Sequence, residues 1–208
     1  MTDDLTTRER IRVEAAALFR KRGFNGTSMA DLAQEVGISK SSLYHHFPSK
    51  QALLSEIIEL TVNRVTPLVR AVADSDLPIE ERLRSAIALH TVEAIRDRDA
   101  IACFIEEGRY LSSDFMATHI TNRDRYEMIF RDMFEEGITS AELVDQDIGI
   151  AVKAILGMCN SVVRWYQPSG KSSPEEIADE IAEFVVRGAS PAQPVGFARE
   201  AQAHARST

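Results

Sequence analysis

Apolar residues recur along most of this chain at intervals of three and four, the spacing of one face of an α-helix. Period-two alternation, the mark of a half-buried strand, is absent over useful lengths, so the pattern predicts an all-α protein. Ile11, Ala15, Leu18 and Phe19 form a first stripe, which ends where Arg20, Lys21 and Arg22 meet Gly23, a helix-stop combination. Ser28 heads a short second helix with Met29, Leu32, Ala33 and Val36 on its inner side and Gly37 as its stop. Ser39 heads a very short third helix through His46. Ser49 heads a long fourth, with Leu53, Leu54, Ile57, Leu60, Val65 and Leu68 at its apolar positions, and Pro67 should kink it or lie near its end. Pro78 suits the first position of a fifth helix carrying Ile79, Leu83, Ile87 and Ala94. A sixth is expected over 100–111 and a seventh over 114–136, stopped by Gly137. An eighth, over 141–166, is apolar nearly all round, with Ile148, Val152, Ile155, Cys159, Val162 and Tyr166 on one seam. A helix of that kind is buried on more than one side. Ser173-Pro174-Glu175-Glu176 reads as a capping box opening a ninth helix with Ile177, Ile181, Phe184 and Val185, closed by Gly188. The stretch 191–208, punctuated by Pro191, Pro194 and Gly196, is expected to be disordered.

Composition narrows the function. The two cysteines, Cys103 and Cys159, are far apart and outside any CxxC spacing, which argues against a disulfide framework and a structural zinc site. The N-terminus lacks an apolar stretch and no run of some 18 apolar residues occurs, so a cytoplasmic protein without a membrane span is expected. The net charge of -8 is uneven: residues 1–50 hold eight Lys and Arg against six Asp and Glu, whereas residues 51–208 hold 16 against 26. Only the first fifty residues could face phosphate comfortably. No nucleophile elbow, P-loop, GxGxxG or HExxH is present, so the sequence offers nothing for an enzyme to work with, and no cofactor is expected.

The second and third helices, joined by Val36-Gly37-Ile38, have the spacing of a helix-turn-helix. The third presents Ser39, Lys40, Ser41, Ser42, Tyr44 and His45 outward, while Leu43 and Phe47 anchor it inward. Small hydroxyl side chains allow close approach to base edges, Lys40 reaches a guanine edge or a phosphate, and Tyr44 offers a phenol to phosphate or an apolar edge to a thymine methyl. Thr27 or Ser28, with the free N–H groups at the start of the second helix, suits a backbone phosphate, and Lys50 is placed for another. His45 and His46 point to different helix faces and do not make a metal site.

The residues Gly26-Thr-Ser-Met-Ala-Asp-Leu-Ala, Val36-Gly-Ile-Ser, Leu43-Tyr-His-His-Phe47 and Ser49-Lys50 with Leu53 resemble the DNA-binding signature of the tetracycline-repressor (TetR) family. The resemblance implies an all-α homodimer with a three-helix DNA-binding domain, here 5–50, and a ligand-binding and dimerisation domain, here 51–190. It also implies that the third helix and Lys50 touch a double-stranded operator. In the body, Arg123-Asp-Arg-Tyr-Glu127, Val163-Arg-Trp-Tyr-Gln-Pro168 and Ser173-Pro-Glu-Glu-Ile-Ala178 are similar to the branch controlling steroid and fatty-acid catabolism, whose members answer to acyl-CoA thioesters.

An acyl-CoA needs a greasy cavity opening on a basic mouth. Candidates for the cavity are Phe104, Tyr110, Tyr126, Phe130, Met158, Cys159 and Val163; candidates for the phosphates are Arg109, Arg123, Arg125 and Arg164. The helices over 141–166 and 174–188 are expected to pair with their symmetry mates. The functional expectation is a repressor released by a small hydrophobic effector, an acyl-CoA, with a non-CoA effector or an activating role as alternatives.

Overall fold

The computed structural model describes residues 5–191. Nine α-helices carry the described chain, and no strand occurs among these residues. Three form a head: α1 (Thr7–Arg22), α2 (Met29–Val36) and α3 (Lys40–His46). Each begins where its side chains satisfy orphan N–H groups. Thr6 and Ser28 make reciprocal capping boxes with Glu9 and Asp31, and Ser39 accepts from the Ser42 N–H. Gly37, at φ 74°, lies in the left-handed region that the tight α2–α3 turn requires.

The body contains α4 (Lys50–Ala73), α5 (Ile79–Arg96), α6 (Arg98–Ala102), α7 (Ser113–Thr139), α8 (Ile148–Trp165) and α9 (Pro174–Ala189). One core joins α4, α5, α7, α8 and α9 around Val69, Leu83, Ile87, Phe130 and Phe134. The helix α8 is long and apolar enough to cross a bilayer by composition, but Val152, Cys159 and Val162 are wholly buried within this helical layer.

Several boundaries differ from those the sequence predicts. Pro67, expected to kink α4 or lie near its end, stands six residues before the last residue, Ala73. The lost N–H leaves a single gap in the ladder, and packing of Val65, Val69 and Ala73 on both sides of it carries the helix through. Pro78 is the cap residue of α5, with Ile79 the first helical position. Gly137 lies inside α7, and a Cβ there would come within 2.5 Å of Leu143. The loop that follows folds over this glycine, with the Leu143 N–H donating to the Gly137 carbonyl and the Val144 N–H to Ala189. That loop replaces the first turns predicted for the eighth helix. Ala141 turns at φ 61°, and Asp147, not a residue near 141, caps α8. The expected sixth helix is only five residues of α-helix, followed by a π-helical turn (Cys103–Glu107) and a 3-10 turn (Gly108–Tyr110). The ninth helix runs one residue past Gly188. The predicted disordered tail lies, beyond Pro191, outside the described residues.

The head and body share apolar packing. The cluster built on Leu18, Phe19, Leu32, Leu43 and Phe47 continues without a break through Leu53, Leu54, Ile57 and Ile58 of α4 to Ala100, Cys103 and Leu111. The expected division at residue 50 therefore passes through a continuous core. Polar links reinforce it. The Gln51 side chain donates to the Tyr110 carbonyl (2.5 Å) and accepts from the Ser112 N–H (3.1 Å), and Arg20 pairs with Asp99 at 2.6 Å.

Candidate nucleic-acid interface and effector cavity

On α3, Lys40, Ser41, Tyr44 and His45 are exposed, Ser42 is half-buried, and Leu43 is wholly buried. Lys40 lies 5.9 Å above the Tyr44 ring, so a cation and a phenol stand side by side on the outer face. Ser39 is exposed but committed: its hydroxyl caps α3 and lies 2.9 Å from that of Ser41. Ser28 is exposed too, and its hydroxyl is held 2.6 Å from the Asp31 carboxylate, which also accepts from the Ser28 N–H. These bonds hold the Asp31 carboxyl below the usual carboxylate range and place a negative charge at the start of α2.

Two residues expected at the phosphate backbone are occupied inside the head. Thr27 is 1% exposed, and its hydroxyl donates to the Gly23 carbonyl at 2.9 Å. The Lys50 ammonium donates to the carbonyls of Phe24 (2.6 Å) and Thr27 (2.7 Å) and sits 4.2 Å over the Phe24 ring. Its partial burial lowers its pKa, opposed by the nearby Glu107 carboxylate. Both side chains serve the α1–α2 turn, where Gly26 packs so closely that a Cβ would lie 2.2 Å from the Arg22 carbonyl oxygen.

The body contains an apolar cavity of about 220 Å³. Thr61, Val62 and Val65 of α4 form one wall, and Ile101 and Phe104 form another. His90 and Ala94 come from α5, Arg123, Tyr126 and Glu127 from α7, and Leu156, Gly157 and Asn160 from α8. Inside it, His90 Nδ1 lies 2.6 Å from the Tyr126 hydroxyl and His90 Nε2 lies 3.1 Å from Asn160 Oδ1. Burial pushes the His90 pKa down to about 4, so the imidazole is neutral, and burial raises that of Tyr126. Lys153 and Arg123 also line the cavity. Together with Glu127 they continue into a surface groove that adds Arg131, Asp124 and Met128. Three cations and two carboxylates thus border the opening.

Of the residues expected to bind a ligand, Phe104, Arg123 and Tyr126 meet at this cavity. The others are elsewhere. Phe130 is wholly buried behind Tyr126 and His90, at ring separations of 5.7 and 6.4 Å. Cys159 is wholly buried core, its thiol pushed up to about 11 by burial. Val163 joins a small cluster with Ala94 and Ile101. Tyr110 stacks on Phe24 at 5.9 Å, against the core of the head, with the Arg109 guanidinium 4.9 Å from its ring centre. Arg164 pairs on the surface with Glu106 at 3.3 Å. The sequence reading missed His90, Lys153 and Asn160. Two of these left a trace: His90 sits in register with Leu83, Ile87 and Ala94 on a buried stripe, and Asn160 is a rare polar residue in α8.

On the outer side of α8 and α9, Ile150 is 69% exposed, Phe184 70% and Trp165 51%. Ala151, Ala154, Met158 and Gly188 line the groove beside Phe184. Ile155, by contrast, is 7% exposed and belongs to the chain's own core.

Comparison with known proteins places these parts. Residues 11–57 match the family model described as bacterial regulatory proteins, tetR family, and residues 76–189 match the tetracyclin repressor-like C-terminal domain. The HTH-type transcriptional repressor KstR2 of Mycolicibacterium smegmatis is 28% identical over 185 residues, covering 86% of this chain and 88% of that protein. The TetR-family regulator PfmR of Thermus thermophilus superposes with a TM-score of 0.81 at 31% identity, over 90% of this chain and all of that one. AibR, solved with isovaleryl coenzyme A and operator DNA, shares the fold with a TM-score of 0.78 at 23% identity, over 90% of this chain and all of that one.

Proposed function

The chain belongs to the tetracycline-repressor family of bacterial transcription regulators, and on that premise we propose that it is a homodimeric repressor released from a palindromic operator by an acyl-CoA thioester. It is a regulator of transcription and not an enzyme. Exposed Lys40, Ser41, Tyr44 and His45, with Ser42 at their edge, read the major groove, and Ser39 and Ser28 lie beside the backbone. Two such heads on a two-fold axis require half-sites about one helical turn apart. Dimerisation through the outer faces of α8 and α9 would cover Ile150, Phe184 and Trp165, large apolar side chains that a lone chain leaves in water.

One observation carries the effector reading: an apolar cavity whose rim holds Lys153 together with Arg123 and Arg131, the two arginines ion-paired with Asp124 and Glu127, and whose walls include α4 and the Ile101–Phe104 segment, which both pack on the head. The acyl part enters the cavity, and the phosphates stay outside near Lys153, Arg123 and Arg131. A volume of about 220 Å³ cannot hold the coenzyme as well. The AibR complex supports the class of ligand on this fold, and KstR2, described as a transcriptional repressor and as a ketosteroid transcriptional regulator, supports repression and an effector from steroid or related lipid metabolism. An effector can move the heads only by fitting one arrangement of α4 and the 98–110 segment better than another. A coupling of about 1–3 kcal/mol, roughly 5–150-fold in operator affinity, suffices.

The test is gel retardation with genomic fragments, followed by footprinting and a panel of CoA thioesters and matching free acids. A two-fold symmetric footprint released only by thioesters supports the proposal. Release by free acids alike assigns a non-CoA hydrophobic effector. A footprint without two-fold symmetry overturns the operator model.

A further inference from the structure

The floor of the cavity is made by Tyr126, His90 and Asn160, which come from three different helices and bond to one another in a row. Their hydrogens can be counted. The phenol has one, a neutral imidazole one and a carboxamide two. The two bonds in the row use two of these four, whichever tautomer His90 adopts. If Tyr126 donates to Nδ1, then Nε2–H donates to Asn160 Oδ1 and both amide hydrogens of Asn160 are free. If Nδ1–H donates to Tyr126, then the amide, turned over, donates to Nε2, and the phenol and one amide hydrogen are free. Two donors remain in either case, both on side chains that line the cavity. Protonation of His90 would add a donor, never remove one. Neither Tyr126 nor Asn160 makes another hydrogen bond among the described residues. Apart from the charged side chains of Arg123, Glu127 and Lys153, the remaining walls are apolar: Val62, Val65, Ala94, Ile101, Phe104 and Leu156. Thr61, the other hydroxyl here, is committed to the Ile57 carbonyl at 2.9 Å.

We infer that the apolar part of the effector carries an acceptor oxygen, a ketone or an equivalent group distinct from its acidic or thioester head, seated on Asn160 and, where His90 Nδ1–H donates to the phenol, on Tyr126 as well. The inference rests on the cavity being the effector site. An unsubstituted hydrocarbon would strip both donors of water and return nothing, and buried donors left unpaired are costly. A carbonyl oxygen accepts from the Asn160 amide in either tautomer and, with its second lone pair, from the Tyr126 phenol in the second. Size limits the body that carries it. A cavity of about 150 Å³ is enough for benzene, so about 220 Å³ suits a single six-membered ring with a substituent, or a short branched chain. The pattern selects a partly oxidised small acid over a saturated one.

The test is direct titration of the full-length protein by calorimetry, so that no operator is needed. Two probe pairs are compared: cyclohexanecarbonyl-CoA with its ring-ketone analogue, and the two corresponding free acids. Within whichever pair binds, the ketone should bind tighter by roughly ten- to a hundredfold. In the double variant Tyr126→Phe with Asn160→Leu, the preference should fall to about threefold or less, with the thermal midpoint recorded to show that the variant is folded. Should that variant not fold, Asn160→Asp replaces the amide hydrogens with acceptor oxygens and must also abolish the preference. Equal affinity of ketone and parent compound for the native protein overturns the inference, as does a preference that survives the substitutions. So does failure of both ketones to bind at millimolar concentration. Thioester against free acid judges the CoA reading separately, because the ketone comparison is made within each pair.

Discussion

Replacing Lys50 by methionine separates two roles that the same residue could have. The Lys50 ammonium holds the Phe24 and Thr27 carbonyls at 2.6 and 2.7 Å and caps the Phe24 ring at 4.2 Å. A hydrogen bond to a charged group contributes about 1.5–3 kcal/mol, and a cation over an aromatic face about 0.5–2 kcal/mol. These interactions share one ammonium and are not additive, and the partly exposed group is screened by water. The net loss in Lys50→Met, which keeps the aliphatic stem, should therefore be roughly 2–3 kcal/mol. For a chain of this size that lowers the thermal midpoint by about 4–12 °C. The assay pairs differential scanning calorimetry with operator affinity measured across a salt series. A phosphate contact, once removed, reduces the salt slope by about one and leaves the fold alone. The structural role gives the opposite signature: a lower midpoint and an unchanged slope, with weaker operator binding only through the looser head. An unchanged midpoint together with a slope reduced by one would refute the reasoning and return Lys50 to the DNA backbone.

Tyr44→Ala removes an exposed side chain, so operator binding should weaken by about 1–3 kcal/mol, roughly 5–150-fold, with no change in thermal midpoint; a drop in midpoint of several degrees would show that Tyr44 supports the fold instead. Phe184→Asp loses an apolar contact of about 1.5–3 kcal/mol on each side of a symmetric interface, and sedimentation should show folded monomer at concentrations where the native chain is dimeric. Ile155→Asp is a poor substitute, since its target is nearly buried in the chain's own core, and insoluble protein is expected from it. His90 is held neutral, with its pKa lowered from 6.5 to about 4. Between those values the unfolded chain binds the proton and the folded one does not, so the stability that His90 contributes is full above pH 6.5 and is lost as pH falls toward 4, about 3 kcal/mol in all. Urea midpoints of the native protein and of His90→Gln, compared at pH 7 and pH 4.5, should show the smaller acid loss in the variant; equal losses would place the acid sensitivity elsewhere.

The sequence by itself determined the helical class and most helix starts, because both depend on neighbours within a turn. Apolar residues at three- and four-residue spacing have only one compact way to share a face, and Ser28, Ser39, Ser49 and Ser173 cap their helices using atoms no more than three residues away. The outer face of α3 was legible for the same reason: Leu43 and Phe47 fix which side is inward, and Lys40, Ser41, Tyr44 and His45 follow. Tertiary structure decided whatever depended on a distant partner. Gly137 looks like a helix stop until the 141–147 loop is in place, and how α4 continues past Pro67 depends on the core packing of that helix. Lys50 and Thr27 look like phosphate ligands until the α1–α2 turn presents them with carbonyls. The cavity shows the limit most plainly. Phe104, Arg123 and Tyr126 were identifiable as candidates, but Tyr110, Cys159 and Arg164 have the same composition and face elsewhere. A residue's chemistry is local, whereas the space it faces is enclosed by helices up to a hundred residues apart, and only their packing makes His90, Tyr126 and Asn160 neighbours.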